Sequence, residues 1–131
     1  MMKSKNSLIL AVNGTLMRGL ELENNLKAVS AIFIKESQTE KAYRLFSIND
    51  KYPAMVKDAK GSAIDVELYE ISEQGMQEVL SKEPEGLTIK EITLIDGSKV
   101  QGVVGLPFII ENRKEITKYG GWRNYLASKE K

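Results

Sequence analysis

Ile64-Asp65-Val66-Glu67-Leu68-Tyr69-Glu70-Ile71, running on into Ser72-Glu73-Gln74-Gly75-Met76-Gln77-Glu78-Val79-Leu80, is the stretch that decides the fold. Over Ile64–Leu68 apolar and acidic residues alternate strictly, the period of a strand with one buried face and one wet face. From Ser72 the period changes. Met76, Val79 and Leu80 stand at i, i+3 and i+4, the spacing of one helical face, and Ser72 is a favourable N-cap. Gly75 weakens this helix by about 1 kcal/mol relative to Ala, and Pro84 marks its expected end.

The period of two recurs at Leu8–Val12, Val29–Ile34, Ala42–Ile48, Ala54–Lys57, Ser62–Ile71, Leu87–Ile95 and Lys99–Gly105. Asp96-Gly97, with Ser98 behind it, predicts a hairpin closed by a type I′ turn, because Asp and Gly tolerate positive φ. Gln38-Thr39-Glu40 reads as a weaker hairpin loop. A C-terminal helix over about Gly121–Ser128 puts Trp122, Tyr125 and Leu126 on one face, as a lid on the sheet. Strands that outnumber helices predict α+β with a curled or closed, antiparallel-rich sheet.

At 131 residues, with 42% apolar and 28% charged side chains, the chain suits one globular domain over residues 1–131. It has no Cys and no His, which excludes disulfides, thiolate nucleophiles, Cys/His zinc sites and imidazole-based triads. Acid–base chemistry therefore falls to Glu, Asp, Lys or Tyr. A net charge of +1 gives no electrostatic drive toward nucleic acid or a membrane surface, so neither is an expected partner. Lys3 and Lys5 precede the apolar run Leu8–Val12, which stops at Asn13-Gly14. The run is too short for a secretory leader, so it reads as a strand of a cytoplasmic protein. No carboxylate spacing suits calcium, and no cofactor is expected.

Two segments carry candidate chemistry. Asn13-Gly14-Thr15-Leu16-Met17-Arg18-Gly19 follows a buried strand, and backbone N–H groups there can form a nest for a carboxylate or phosphate, with Arg18 adding charge. The same residues also suit a plain tight turn. Ser81-Lys82-Glu83-Pro84-Glu85-Gly86 offers Glu83 or Glu85 as a general base if apolar neighbours raise its pKa, or else is solvated surface. Lys57-Asp58-Ala59-Lys60 and Glu111-Asn112-Arg113-Lys114-Glu115 read as exposed loops.

In this order the segments resemble the γ-glutamylcyclotransferase-like superfamily, and within it most closely the C-terminal domain of allophanate hydrolases. Leu10–Gly19 resembles the superfamily's opening strand and Gly-Ser/Thr-Leu loop, Ile64–Ile71 its Gly-Glu-x-Tyr-x-Val strand, and Glu91–Gly102 its hairpin. Tyr119-Gly120-Gly121-Trp122-Arg123-Asn124-Tyr125-Leu126 is similar to the Gly-Gly-Trp-Arg-x-Tyr-Leu closing the allophanate hydrolase domain, and is the most specific of the four. The resemblance implies a small mixed, mostly antiparallel β-barrel with two or three short helices. A pocket is expected at the end of its first strand. Gly14, Thr15 and Leu16, flanked by Asn13 and Arg18, would bind a small carboxylate-containing molecule. The base falls at Glu83 by counting from the Tyr69 strand, or at Glu85 by matching the Glu-Gly dipeptide.

Asn13 stands where the superfamily has an aromatic residue, and Thr15 where allophanate hydrolase domains have a His. The resemblance thus implies a stand-alone binding domain that associates with an amidase or with itself. The alternative it implies is an enzyme releasing 5-oxoproline. Because the chain spans that domain and little else, any fusion partner is expected to be a separate protein.

Overall fold

A computed structural model describes residues 7–130; Lys3 and Lys5 lie outside them. The strands are β1 (Ser7–Val12), β2 (Ile32–Gln38), β3 (Tyr43–Ile48), β4 (Tyr52–Lys57), β5 (Asp65–Ser72), β6 (Leu87–Thr93), β7 (Lys99–Gly105) and β8 (Lys114–Glu115). The helices are α1 (Glu23–Ala28), α2 (Glu73–Ser81) and α3 (Trp122–Lys129), with 3-10 turns at Pro107–Ile110 and Thr117–Tyr119. Among the described residues, no helix is long and apolar enough to cross a membrane.

A five-stranded sheet has the order β2-β5-β1-β7-β6, and a three-stranded sheet the order β4-β3-β8. Only β1 and β7 pair in parallel; every other ladder is antiparallel. The α+β class is as expected, but the sheet is not closed into a barrel. The strands hydrogen-bond in two separate orders, with no ladder joining the edges of one sheet to those of the other among the described residues. A Cβ on Gly105 would lie 2.8 Å from the Ala54 Cβ, so β7 packs its face on β4 at a contact that only Gly permits. Between the sheets, the isolated bridges Thr39↔Leu94 and Tyr43↔Ser62 join the crossing segments, and the Tyr43 hydroxyl accepts from the Thr93 N–H at 3.3 Å.

Strand β5 departs from its own pattern. Val66 and Leu68 are buried as the alternation requires, but Glu67, Tyr69 and Ile71 on the other face are buried too. That face, expected to be wet, is covered. Ser72 caps α2 as predicted, its Oγ accepting from the Gly75 N–H at 2.9 Å, and the helix stops at Ser81, short of Pro84. The C-terminal helix also docks as expected, with Trp122 and Tyr125 buried.

Four local expectations are corrected. The strand placed at Val29–Ile34 begins later, because Glu23–Ala28 folds as α1 around the buried Leu26 and the chain turns at Ser30 with φ 60°. Gln38-Thr39-Glu40 is no hairpin loop; it carries the chain from one sheet to the other. Asp96-Gly97 does join β6 to β7, but only Gly97 has positive φ, and the Gly97 N–H donates to Leu94 O. This fits a longer loop ending in a left-handed Gly. The type I′ signature falls instead at Asn49 (φ 56°) and Asp50 (φ 59°), between β3 and β4, where the Lys51 N–H donates to Ile48 O. Finally, Lys114–Glu115 of the expected loop forms β8, because Arg44 on β3 grips Glu115 at 2.6 and 3.0 Å.

The crossing depends on Thr39, which is fully buried. Its Oγ1 accepts from the Ile64 N–H at 2.9 Å and donates to Glu40 O at 2.8 Å. Thr39→Val keeps the shape but leaves the Ile64 N–H without a partner. It is expected to lower unfolding free energy by about 1–3 kcal/mol, measured by urea denaturation with an unchanged m-value.

Candidate functional site

The loop after β1 is fixed at its start by packing. A Cβ on Gly14 would lie 2.5 Å from Pro53 Cδ and 2.7 Å from Pro53 Cγ, so only Gly allows the Pro53 ring to sit there. Asn13 is buried, and its Nδ2 donates to Val103 O at 2.9 Å, tying the loop to β7. The chain then turns through a Met17 N–H to Gly14 O bond at 2.9 Å and a Leu22 N–H to Thr15 O bond at 2.8 Å. Among the described residues, the N–H groups of Gly14, Thr15 and Leu16 have no backbone acceptor outside the strands.

Glu83, just beyond α2, lines the same narrow crevice as Asn13–Leu16, Tyr52 and Pro53. The crevice encloses about 10 Å³, room for roughly one water. Burial among these apolar neighbours raises the Glu83 carboxyl to about 7. Glu85 is exposed and does not line the crevice. Of the two acids left open by the sequence, Glu83 is the one the fold brings to the loop. Tyr52 and Pro53 were missed, because nothing in their local pattern ties a β4 residue to a loop some forty positions earlier.

Arg18 points elsewhere. Its backbone N–H donates to Glu67 Oε1 at 2.9 Å, its Nε reaches the same oxygen at 3.3 Å, and its Nη2 meets Glu36 at 2.8 Å. Its guanidinium also lies 3.9 Å from the centre of the Phe33 ring, a cation–π contact. Arg123, at the start of α3, donates through Nη2 to Glu67 Oε2 at 2.9 Å and to Arg18 O at 2.7 Å. Burial alone would push Glu67 up, but the Arg18 N–H and both guanidinium groups outweigh it and hold the carboxyl below its ordinary range. This cluster borders a second cavity of about 450 Å³ that Glu36, Asp65, Trp122 and Arg123 help to line.

The mixed sheet with its Gly-Thr-Leu loop after the first strand has a γ-glutamylcyclotransferase-like fold. A solved gamma-glutamyl cyclotransferase shares the fold alone, with a TM-score of 0.53 and 8% identity over 83% of this chain and 69% of that one. The chain belongs to the allophanate hydrolase C-terminal domain family, whose sequence model matches residues 8–127. It is 31% identical over 133 residues to the urea amidolyase of Saccharomyces cerevisiae, a match covering 95% of this chain and only 7% of that protein. A uropathogenic E. coli-specific protein superposes with a TM-score of 0.91 at 43% identity, over 92% of this chain and 96% of that one. The Kluyveromyces lactis allophanate hydrolase superposes with a TM-score of 0.86 at 27% identity, over 96% of this chain and 22% of that enzyme.

The buried Glu67 and the half-buried Glu83 give opposite pH signatures. The depressed Glu67 contributes stability above the unfolded carboxyl value of about 4.3, and this is lost as pH falls through its lower folded value. The raised Glu83 contributes below the unfolded value, and its contribution is lost as pH rises toward about 7. Glu67→Gln is therefore expected to destabilise by about 1–3 kcal/mol at pH 7, because both arginines are partly solvated. Glu83→Gln is expected to be more stable than the parent by about 1–2 kcal/mol at pH 8 and equal to it at pH 4. Denaturation curves across pH 4–8 check both.

Proposed function

We propose that this domain binds a small carboxylate-bearing molecule at the amides of Gly14, Thr15 and Leu16, with protonated Glu83 donating the hydrogen bond that completes the site. The observation that carries this reading is the convergence of acceptor-free loop N–H groups and a desolvated carboxyl on one crevice. A neutral carboxyl tolerates a second carboxylate beside it, whereas an ionised one repels it. The domain's relatives include a urea amidolyase and an allophanate hydrolase. This relationship supports reading the domain as a binding module that works beside an amidase.

A second reading is favoured by the same carboxyl, whose value near 7 suits a general base. In a γ-glutamyl substrate, Glu83 would take a proton from the α-ammonium group. The freed nitrogen then attacks the γ-carbonyl carbon, the bond from that carbon to the leaving amine breaks as Glu83 returns the proton to that amine, and the ring nitrogen sheds its second proton to water. The products are 5-oxoproline and a free amine. Holding both ends of one molecule makes the attack intramolecular.

The two readings demand opposite protonation states, so pH separates them. Binding of glutarate, followed by amide NMR, is expected to shift the Gly14, Thr15 and Leu16 signals and to weaken about tenfold per pH unit above 7. Glu83→Gln is expected to keep binding and lose that pH dependence, and Glu85→Gln to change nothing. Absence of shifts at those three amides at saturating glutarate overturns the binding reading. Release of 5-oxoproline from γ-glutamyl-alanine, rising with pH through 7 and abolished by Glu83→Gln, is the result that would establish the enzyme instead.

A further inference from the structure

Beside the crevice that holds Glu83 lies a wider cleft of about 550 Å³, lined by Thr15, Glu21, Lys51, Tyr52 and Pro84 among others. Thr15 and Tyr52 line both spaces, so the two meet at this pair. The size difference is decisive: the crevice takes about one water, while the cleft is large enough for a small organic molecule. Tyr52 and Thr15 thus stand where the cleft adjoins the Gly14–Leu16 crevice.

Tyr52 suits that position mechanically. Its backbone is held where β4 begins, paired with Ile48 and preceded by the tight Asn49-Asp50 turn. Asp50 anchors the turn by accepting from Ser47 Oγ at 2.7 Å and from Tyr125 Oη at 2.6 Å, and by pairing with Lys129 at 2.7 Å. The residue is half-buried, and because no buried side-chain oxygen among the described residues lacks a hydrogen-bond partner, its hydroxyl, which meets no protein group, lies open to solvent. A rigid backbone carrying a ring with an uncommitted hydroxyl lets the side chain rotate without breaking a bond. Burial raises its phenol, which Arg113 lowers and Glu83 raises in turn, so near neutral pH it is a donor rather than an anion.

Resting on the reading of the crevice as a ligand site, we propose that Tyr52 is its gate and specificity residue: the ring screens Glu83 from the outer cleft and swings aside to admit a small carboxylate, to which its hydroxyl then donates. The cleft outside Tyr52 is the entry vestibule, and Lys51 and Glu21 at its wall meet the part of the ligand left outside.

The screening half is tested without any ligand, by following the Glu83 carboxyl with carbon-13 NMR in the parent, Tyr52→Phe and Tyr52→Ala. The parent and Tyr52→Phe, which keep the ring, are expected to titrate near 7. Tyr52→Ala is expected to titrate below about 6, because water reaches the carboxyl. Equal titration in all three overturns the gate. Should the alanine variant unfold, Tyr52→Val, which retains strand preference, replaces it with the same reading.

The donor half is read from glutarate affinity, expected to fall about fivefold in Tyr52→Phe while its Glu83 titration stays put. Unchanged affinity overturns that half. If glutarate binds neither the parent nor any variant while the titrations differ as expected, the ligand reading and the gate fail with it, and only the screening of Glu83 by the ring stands.

Discussion

The carboxylate of Glu67, almost wholly buried and shared between two guanidinium groups, is the interaction on which the arrangement of this molecule depends. It sits on β5, yet its partners come from the loop after β1 and from the start of α3, and Arg18 continues to Glu36 on β2. Segments far apart in sequence are thereby pinned to one point. Burying such a charge is poor value as stability, since desolvation cancels most of the Coulombic gain. What it supplies is position, because removing any partner leaves a charge in a place that water reaches badly. The loop is consequently held between two anchors, Asn13 on Val103 O at one end and Arg18 on Glu67 at the other. Its middle residues, Gly14 to Leu16, gain a fixed shape without spending their own N–H groups, which is how a binding loop avoids an ordering cost when ligand arrives.

Glu67 and Glu83 are the same residue in two environments that drive their carboxyls apart. Both are penalised by burial. Glu67 meets a backbone N–H and two arginines, so ionisation wins. Glu83 meets apolar surface, so the proton stays until about neutral pH. With no imidazole in the chain, Glu83 is the group placed to exchange a proton near pH 7 beside the loop. Arg18 is committed to Glu67 and Glu36, and desolvation is what sets the Glu83 value.

Much of this was legible from residue spacing, and the failures share a cause. The alternation of Ile64–Leu68, the Ser72 cap and the Trp122/Tyr125 face are local properties, and each formed where the pattern put it. What the pattern could not show is which distant segment lands on which face. A strand whose acids alternate with apolar residues looks half-wet, and Glu67 becomes dry only because Arg123, 56 positions later, folds over it. The barrel expectation fails the same way, because strands far apart in sequence, such as β1, β5 and β7, pair into one sheet and no periodicity relates them. Arg18 looked like part of the anion loop by adjacency, but a long side chain answers to the nearest buried counter-charge rather than to its neighbours in sequence. The choice between Glu83 and Glu85 was a matter of register, and Pro84 separates an acid turned to the crevice from one turned to water.

Family membership narrows the chemistry less than the crevice does. The chain matches about 7% of the length of the yeast urea amidolyase, so most of that protein's machinery lies outside the shared domain. Within the domain, a single protonation state separates a binder from an enzyme: a neutral Glu83 donates to a carboxylate and can abstract nothing, while an ionised Glu83 abstracts a proton and repels the same carboxylate. A value near 7 leaves both states populated at neutral pH, and the ligand chooses between them by its own charge. A simple dicarboxylate stabilises the protonated form and is merely held. A molecule that places an ammonium group beside Glu83 stabilises the ionised form and so creates the base that acts on it. Under the two proposed readings the same few residues would hold one ligand class and turn over another, with no change of fold and with ligand charge as the deciding variable.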